Sequence, residues 1–337
     1  MTIREIASLA GVSPAAVSLI INHKKGVSDE TRRRVQAVIE ENNYLAPGQK
    51  RGGSKVKRFR LCVVKFRTHG IALEENQGFI ASIIDQIESE CRHYGYDLAM
   101  VNCDVATATE TLREVMASPP DGVILMGTEL SENDYRLLDL LKVPTIVMDN
   151  SMSDMQIDCV LMDNEAISAE AVRYLYALGH QDIDYIRFSL PIRNCDERYQ
   201  GYTREMERLK LPIPKPICVM PTLSGAYRDM KRMIEEGEYV PHGAAVADND
   251  TVAIGVIRAI REAGYHIPED ISIIGVDDIP FAAMTMPALT TMRISRSALG
   301  TLAVDTLRKR IKYPNWPSIH VRLSGRLVVR GSTMQKQ

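Results

Sequence analysis

The sequence predicts a small all-α headpiece with a helix-turn-helix, followed by a larger α/β body built from two parallel-sheet subdomains. Two observations predict this division. The first 45 residues contain three short stretches in which apolar side chains recur at helical spacing, separated by glycine and Ser-Pro. From residue 60 onward, short apolar runs alternate with longer amphipathic stretches, which is typical of parallel sheets covered by helices. A chain of 337 residues is long enough for several domains.

Charge is distributed unevenly along the chain. Residues 1–60 contain twelve Lys or Arg and five Asp or Glu, whereas the whole chain has a net charge of −2, so the remainder carries about −9. A basic head on an acidic body is the pattern of a DNA-reading module joined to a domain that avoids phosphate. A solvated basic tail is the alternative, and the spacing within the head decides between the two.

The first helix is predicted to begin at Ile3. Thr2 and Glu5 have the spacing of a capping box, in which the hydroxyl and the carboxylate each satisfy a free backbone N–H. Ile3, Ile6, Ala7 and Ala10 then recur at helical spacing. Gly11 supplies the left-handed conformation that ends such a helix.

Two further helices complete the predicted head. Ser13-Pro14 is an N-cap followed by a proline at the first helical position, so a second helix is expected there, with Val17, Ile20 and Ile21 facing inward. A third helix is expected from near Ser28, with these inward residues: Val35, Val38 and Ile39. Two short helices joined by a glycine turn match the helix-turn-helix, whose second helix enters the major groove. Any small helical hairpin is the alternative.

Several short segments of the head also match a known pattern: Thr2 to Ala7, Leu9 to Ser13, Val17-Ser18, Ile21-Asn22, Val27-Ser28 and Glu30 to Arg32. They closely resemble the headpiece of the lactose/galactose repressor (LacI/GalR-type) family of bacterial transcriptional regulators. The resemblance implies that residues 14–21 form the recognition helix, and that the protein is a repressor that binds double-stranded operator DNA. The resemblance places Ser13, Ser18 and Asn22 near phosphates. It places Pro14, Ala15 and Leu19 at positions that read bases.

Leu19 departs from the pattern, because many family members carry an arginine at this position. A leucine cannot make the bidentate contact to guanine that is the commonest specific readout. Ala15, Ala16 and Leu19 can contact thymine methyl groups instead. We therefore expect an operator whose half-sites depend less on guanine at this position.

Residues 46–59 are predicted to form a flexible basic hinge. Three glycines and a proline occur within residues 47–53, and they disfavour a helix by roughly 1 kcal/mol per glycine and about 3 kcal/mol for an interior proline. The family pattern has a hinge helix with a wedge leucine here, and that leucine is missing. Arg51 is expected to follow phosphates or to enter a narrow minor groove. A simple linker is the alternative.

The body is expected to contain two series of strands. The first is predicted at Leu61–Val64, Tyr96–Val101, Gly122–Met126 and Thr145–Met148, and the second at Cys159–Met162, Ile183–Phe188, Ala244–Ala247 and Ile271–Val276. The body resembles the periplasmic sugar-binding fold that serves as the sensory part of the same family. The expected domains are a headpiece at 1–45, the hinge at 46–59 and an effector-binding and dimerisation domain at 60–337. Within that domain we expect an N-subdomain of about 60–161 and 291–319, and a C-subdomain of about 162–290 and 320–337.

Polar residues that end strands are the effector-binding candidates, because ligands of open α/β sheets lie beyond the carboxyl ends of the strands. The resemblance implies Asp277, Arg198 and Asn249 as ligand contacts. For Asp277, or its neighbour Asp278, the alternative is a cap of the following turn, and for Arg198 it is a solvated surface position. Asp250 is expected to be a helix N-cap.

The facing subdomain offers three weaker effector-binding candidates, Asp149, Phe79 and Glu129. Paired carboxylates with an arginine and an amide suit a ligand with several hydroxyl groups. Ile294 and Arg187-Phe188-Ser189 depart from the family pattern and suggest a reshaped pocket. A sugar or sugar derivative is the expected effector, with a nucleobase, a phosphorylated metabolite or a partner protein as alternatives.

Several function classes are disfavoured by what the sequence lacks. It contains no P-loop, zinc-protease motif, nucleophile elbow or dinucleotide glycine motif, so we expect a protein that is not an enzyme, with no cofactor and no metal site. The six cysteines are spread singly and are expected to be reduced. Neither a membrane-spanning run nor a signal peptide is recognised, which predicts a cytoplasmic, nucleoid-associated protein and disfavours a secreted solute-binding protein. The expected assembly is a homodimer on a pseudo-palindromic operator.

Overall fold

The computed structural model describes residues 2–21, 24, 26–41, 58–74, 76, 78–152 and 155–336. The chain divides into two compact units, residues 1–57 and residues 58–337. The helices are α1 Ile3–Ala10, α2 Pro14–Ile21, α3 Asp29–Glu41, α4 Ile71–Glu74, α5 Phe79–Tyr94, α6 Ala108–Ala117, α7 Asn164–Ala177, α8 Arg193–Leu209, α9 Leu223–Glu235, α10 Asp250–Glu262 and α11 Arg296–Lys312. The strands are β1 Arg60–Arg67, β2 Asp97–Asp104, β3 Gly122–Met126, β4 Thr145–Met148, β5 Asp158–Met162, β6 Ile183–Phe188, β7 Ile217–Val219, β8 Ala244–Ala247, β9 Ser272–Asp277, β10 Thr290–Arg293, β11 His320–Leu323 and β12 Arg326–Val328.

The head contains the three predicted helices. The backbone N–H of Thr2 donates to the Glu5 carboxylate at 2.9 Å, and the N–H of Glu5 donates to the Thr2 hydroxyl at 3.4 Å, which confirms the capping box. Gly11 ends α1 with φ of 64°. A small core then holds the helices together, with these buried side chains: Ile6, Ala7, Ala10, Val17, Ile20 and Val35. Ile21, Val38 and Ile39 are partly buried against it, as the periodicity predicts.

The body consists of two six-stranded sheets, each in its own lobe. The N-lobe sheet has the order β11-β5-β4-β3-β1-β2 and the C-lobe sheet has the order β12-β10-β9-β8-β6-β7. All described strand pairs are parallel except β10 with β12. Helices cover both faces, so central strands such as β3 and β8 are buried along their whole length. The predicted α/β body is confirmed.

The assignment of one strand to the second series is wrong. Cys159–Met162 lies in β5, which pairs with β4 and β11 of the N-lobe sheet. The chain crosses to the C-lobe only afterwards, through α7, because a short β4–β5 connection keeps these strands in one sheet. The later crossings of the chain between the lobes also differ from the expected bounds. β10 still belongs to the C-lobe sheet, so the chain returns to the N-lobe after residue 293. β11 still belongs to the N-lobe sheet, so the chain crosses back to the C-lobe after residue 323.

All six cysteines are free, and Cys218 is the exposed one. Among the described residues, no single helix is long and apolar enough to cross a membrane, and α1 with α2 meets the length and composition test only as a pair bent by 106°. Asn22, Arg51 and residues 46–57 of the expected hinge lie outside the described residues.

Candidate functional site

A cleft lies between the two lobes, at the carboxyl ends of strands from both sheets, where open α/β sheets bind ligands. The space between its lining atoms, counted together with the open solvent at its mouth, is about 450 Å³. Five of the six effector candidates line it, namely Asp277, Arg198, Asn249, Asp149 and Phe79. The other lining residues are Ile71, Ala72, Asn76, Ile80, Thr128 and Met162 from the N-lobe and Phe188, Ile192, Asn194, Cys195 and Pro221 from the C-lobe.

Asp277 is the last residue of β9 and points its carboxylate into the cleft. Its backbone is left-handed, with φ of 109°, and its side chain is buried. Oδ2 accepts a hydrogen bond from Asn76 Nδ2 at 3.1 Å, across the lobes, whereas Oδ1 has no partner among the described residues. Burial raises the pKa of Asp277 to about 6, although the Arg198 charge and the Asn76 bond act in the opposite direction. A buried acceptor without a partner is rare in native proteins.

Arg198 lies on α8 and is 4 % exposed, so the alternative of a solvated surface arginine is wrong. Its Nε donates to Asn164 Oδ1 at 3.0 Å, and its guanidinium also donates to the backbone carbonyl of Asp248. The Asp248 carboxylate in turn accepts from the Tyr185 hydroxyl at 2.6 Å. This buried network fixes the guanidinium at the floor of the cleft, where its charge lowers the pKa of Asp277.

Asp149 ends β4 on the facing lobe and also has a left-handed backbone, with φ of 61°. Both of its oxygens are occupied: Oδ2 accepts from Thr128 Oγ1 and Oδ1 accepts from Asn194 Nδ2, each at 2.7 Å. Asn194 belongs to the C-lobe, so this bond crosses the cleft. Burial raises the pKa of Asp149, while these two donors lower it.

The structure corrects the N-cap role expected of Asp250 and gives that role to Asn249. Asn249 is the N-cap of α10, because its Oδ1 accepts from the backbone N–H of Val252 at 3.0 Å. Asp250 is instead the first residue of the helix. It is buried, and it accepts from Thr291 Oγ1 at 2.6 Å and from the Ile279 N–H at 3.0 Å. Asn249 still lines the cleft, with its amide nitrogen 3.5 Å from Asn76 Oδ1.

Glu129, a candidate for effector binding, contacts the backbone of its own lobe instead of the cleft. It does not line the cleft, and its carboxylate accepts four backbone N–H groups, from residues 68, 69, 70 and 72. Four donors from the chain itself fill the acceptor positions that a ligand would need. The loop that holds these donors does line the cleft.

The second helix of the head carries the other predicted site. Ser13 Oγ accepts from the Ala16 N–H at 3.2 Å, which caps α2. Pro14 and Ala15 are exposed, and Ala16, Ser18 and Leu19 are half-buried. The exposed surface of the first two turns is therefore largely apolar, as the sequence predicts.

Comparisons with known proteins agree with both parts of the chain. Residues 2–46 match the bacterial regulatory proteins of the lacI family, and residues 172–333 match the periplasmic binding protein-like domain. The ribose operon repressor of Escherichia coli K12 is 30% identical, over 98% of this chain and 99% of that protein. The chain belongs to the LacI family.

Other LacI-family proteins show similar agreement. The transcriptional repressor PurR of Vibrio atlanticus is 31% identical, over 92% of both chains. Among solved structures, the lac repressor dimer bound to operator and the anti-inducer ONPF has a TM-score of 0.74 at 24% identity, over 99% of both chains. A LacI-family regulator from Enterococcus faecium with bound ribose has a TM-score of 0.68 at 25% identity, over 82% of this chain and 100% of that one. The family and fold predictions are confirmed, and this chain is a transcriptional regulator.

Three polar residues of this LacI-family cleft were missed by sequence reasoning: Asn76, Thr128 and Asn194. One of them had a signal, because Asn194 precedes Arg198 by four residues and so shares its face of α8. Thr128 lies next to Glu129, one residue from the candidate that was chosen. Asn76 lies in the loop before α5, and its sequence context offers no comparable signal.

Proposed function

We propose that this regulator is a repressor that binds a pseudo-palindromic operator as a homodimer, and that a small molecule with several hydroxyl groups binds in the cleft and controls it. The observation that carries the effector assignment is the unpartnered Oδ1 of Asp277, buried beside Arg198 in a cleft. A carboxylate oxygen accepts a hydrogen bond from a hydroxyl group, and the cleft also offers the amide groups of Asn249 and Asn76. A sugar or sugar derivative fits this set of groups. We infer that the protein acts in the cytoplasm, at the nucleoid, and has no catalytic role.

A nucleobase is the second candidate effector. Phe79 and Phe188 both line the cleft, and an aromatic ring stacks on the face of a base as well as on the apolar face of a sugar. PurR repressors also stand among the relatives. The two classes differ in hydroxyl content, so a ligand screen separates them.

The effector test is a thermal-shift screen of the full-length protein with pentoses, hexoses, sugar phosphates and nucleobases. A ligand at about 100 times its dissociation constant adds roughly 2.7 kcal/mol to stability, which raises Tm by several degrees. The shift is expected to disappear in Asp277→Asn and to persist in the exposed control Asp182→Asn. No shift with any small molecule would overturn the effector assignment.

The DNA contact is proposed to use α2, with phosphate contacts from Ser13, Ser18 and Asn22 and apolar base contacts from Ala15, Ala16 and Leu19. Selection of DNA ligands from a random pool is expected to return two-fold symmetric sites without a strict guanine at the position that faces Leu19. A strict guanine there would contradict apolar reading.

A matched pair of variants in the head tests the interface itself. Ala15→Asp introduces a negative charge on the exposed start of α2, whereas Ala37→Asp introduces the same charge on an exposed position of α3. Gel shifts at two salt concentrations should show a much larger loss of affinity for the first, and wild-type affinity should fall steeply with salt. Equal losses would place the DNA elsewhere.

The homodimer is supported by apolar side chains left exposed on the body. Met284 and Met286 are 75% and 78% exposed, and Met100 is exposed on the edge strand β2. Met284 and Met286 lie only two residues apart, and neighbouring exposed apolar side chains mark association surfaces. Sedimentation of the full-length protein should give a dimer, and Met284→Glu should lower its association constant. A wild-type monomer at micromolar concentration would refute the assembly.

A further inference from the structure

The carboxylate of Glu129 is buried inside a loop of its own lobe. Its side chain has no exposed surface. Oε2 accepts the backbone N–H groups of Thr68, His69 and Gly70 at 2.8 to 2.9 Å, and Oε1 accepts that of Ala72 at 2.9 Å. The Thr68 hydroxyl also donates to the Glu129 carbonyl at 2.9 Å. One side chain therefore holds four of the five residues 68–72 by charge-assisted bonds, and the Ile71 N–H donates to His69 Nδ1 at 3.2 Å instead.

The loop geometry depends on this anion. Four N–H groups can converge on one carboxylate only if the backbone curls around it, and Gly70 permits this curl with φ of 77°. In this conformation the four donors point toward the carboxylate rather than toward one another's carbonyls. Removal of the carboxylate would leave four N–H groups without their acceptor, and the one of buried Gly70 would be the most costly.

The residues that follow this loop in the chain line the N-lobe side of the cleft. Ile71 and Ala72, at the start of α4, line the cavity, and Ala72 also packs against the C-lobe core. Asn76 follows α4 and donates to Asp277 across the lobes. Phe79 then opens α5 at the cleft wall. The described residues of this stretch that line the cleft thus follow directly on the segment that Glu129 holds.

We propose that Glu129 is a positioning residue, which fixes residues 68–72 and thereby places Asn76 on Asp277. It touches no effector itself. The carboxylate serves as a permanent internal anion for a loop whose amides would otherwise lack acceptors. This inference rests on the proposed function only in treating the cleft as an effector site.

The test is anion rescue of Glu129→Ala in the full-length protein, read by hydrogen exchange. The variant is expected to lose amide protection in peptides covering 68–80 and to keep it in β9. Sodium formate, which supplies a carboxylate small enough for the vacated space, is expected to restore protection, whereas sodium chloride at equal ionic strength should not.

The matched control is Glu205→Ala. Glu205 is also buried, but its carboxylate pairs with the side chains of Arg208 and Arg173 in the C-lobe. Formate should leave exchange at 68–80 unchanged in this variant. If Glu129→Ala fails to fold, Glu129→Gln replaces it, since glutamine keeps the volume with one acceptor oxygen and a partial loss of protection is expected. Unchanged protection in both Glu129 variants, or lost protection that formate does not restore, would overturn the proposal.

Epistasis with Asn76 separates positioning from general stability. Asn76→Ala should lower Tm in the wild-type background and leave it unchanged in Glu129→Ala, because Asn76 is already misplaced there. Additive losses would overturn the proposal. The effector screen tests the proposed function separately: no response to any sugar in it would contradict the sugar assignment, while exchange and epistasis still decide the role of Glu129.

Discussion

Each lobe of the body places a buried aspartate at the cleft that bonds an asparagine of the other lobe, but the two aspartates differ in their number of hydrogen-bond donors. Asp149 ends β4 of the N-lobe and bonds Asn194 of the C-lobe, and Asp277 ends β9 of the C-lobe and bonds Asn76 of the N-lobe. Both carboxylates are buried on left-handed backbone. Asp149 has a second donor, Thr128, whereas Asp277 Oδ1 has none among the described residues.

This difference separates two roles that the sequence presents alike. A buried carboxylate with donors on both oxygens can join two lobes without any ligand, because its desolvation is compensated inside the protein. A carboxylate with one unpartnered oxygen lacks part of that compensation, and burial raises its pKa to about 6. Asp149 is therefore expected to hold the two lobes together, a role called the latch here, and Asp277 is expected to bind the ligand.

Asn194→Asp is expected to have the largest effect. It would place a second carboxylate 2.7 Å from Asp149 in a buried site, where an uncompensated charge costs about 3 to 5 kcal/mol. Thermal unfolding at pH 7.5 should show a Tm lowered by at least about 5 °C, with partial recovery near pH 5 as one carboxylate takes a proton. An unchanged Tm would contradict the latch.

Asp277→Asn without ligand is expected to stabilise the protein at high pH. The pKa of Asp277 is raised by burial from 3.8 to about 6, so the folded state binds more protons than the unfolded state between these values, and stability falls as pH rises through that window. The full cost, up to about 3 kcal/mol, is present above pH 6 and absent below pH 4. Denaturant unfolding at pH 8 and pH 4 should show the gain only at pH 8. A gain at both values would assign it to another cause.

Effector affinity is expected to fall below pH 6, by up to about tenfold per pH unit. A ligand hydroxyl donates to the ionised form of Asp277, and protonation competes with it. Isothermal titration across pH 5 to 8 with the ligand found in the screen measures the slope. The dependence should persist in Thr128→Val, and its loss there would favour Asp149 as the ligand group.

Thr128→Val is expected to have the smallest effect. It removes one of the two donors to Asp149 and keeps the side-chain volume, so the free energy of unfolding should fall by about 1 kcal/mol, or somewhat more because the Asp149 oxygen is left buried. Ligand affinity should change little. A ligand affinity reduced more than tenfold would contradict the division between latch and ligand group.

Much of the molecule was predictable because its signals are local. The capping box at Thr2, the turn at Gly11 and the start at Pro14 fix two helices from neighbouring residues. β3, β4, β6 and β8 were predicted with the bounds that the structure has. Local signals do not say which sheet a strand joins, and β5 was therefore assigned to the wrong series.

The candidate site was predictable only in part. Strand-end positions of Asp149 and Asp277 follow from the chain, because carboxyl ends of parallel strands meet at one edge. Asn76 and Asn194 are different: they lie 201 and 45 residues from the carboxylates they bond. Their importance arises from lobe packing, which no local pattern records.

The sequence by itself determined the headpiece, the α/β class of the body and the family, since caps, periodicity and motif letters act over a few residues. Tertiary structure alone decided three things. The Glu129 carboxylate is hydrogen-bonded by its own loop, both oxygens of Asp149 have hydrogen-bond donors, and one oxygen of Asp277 has none among the described residues. The physical reason is that hydrogen-bond satisfaction of a buried group depends on every residue packed around it, and those residues come from both lobes.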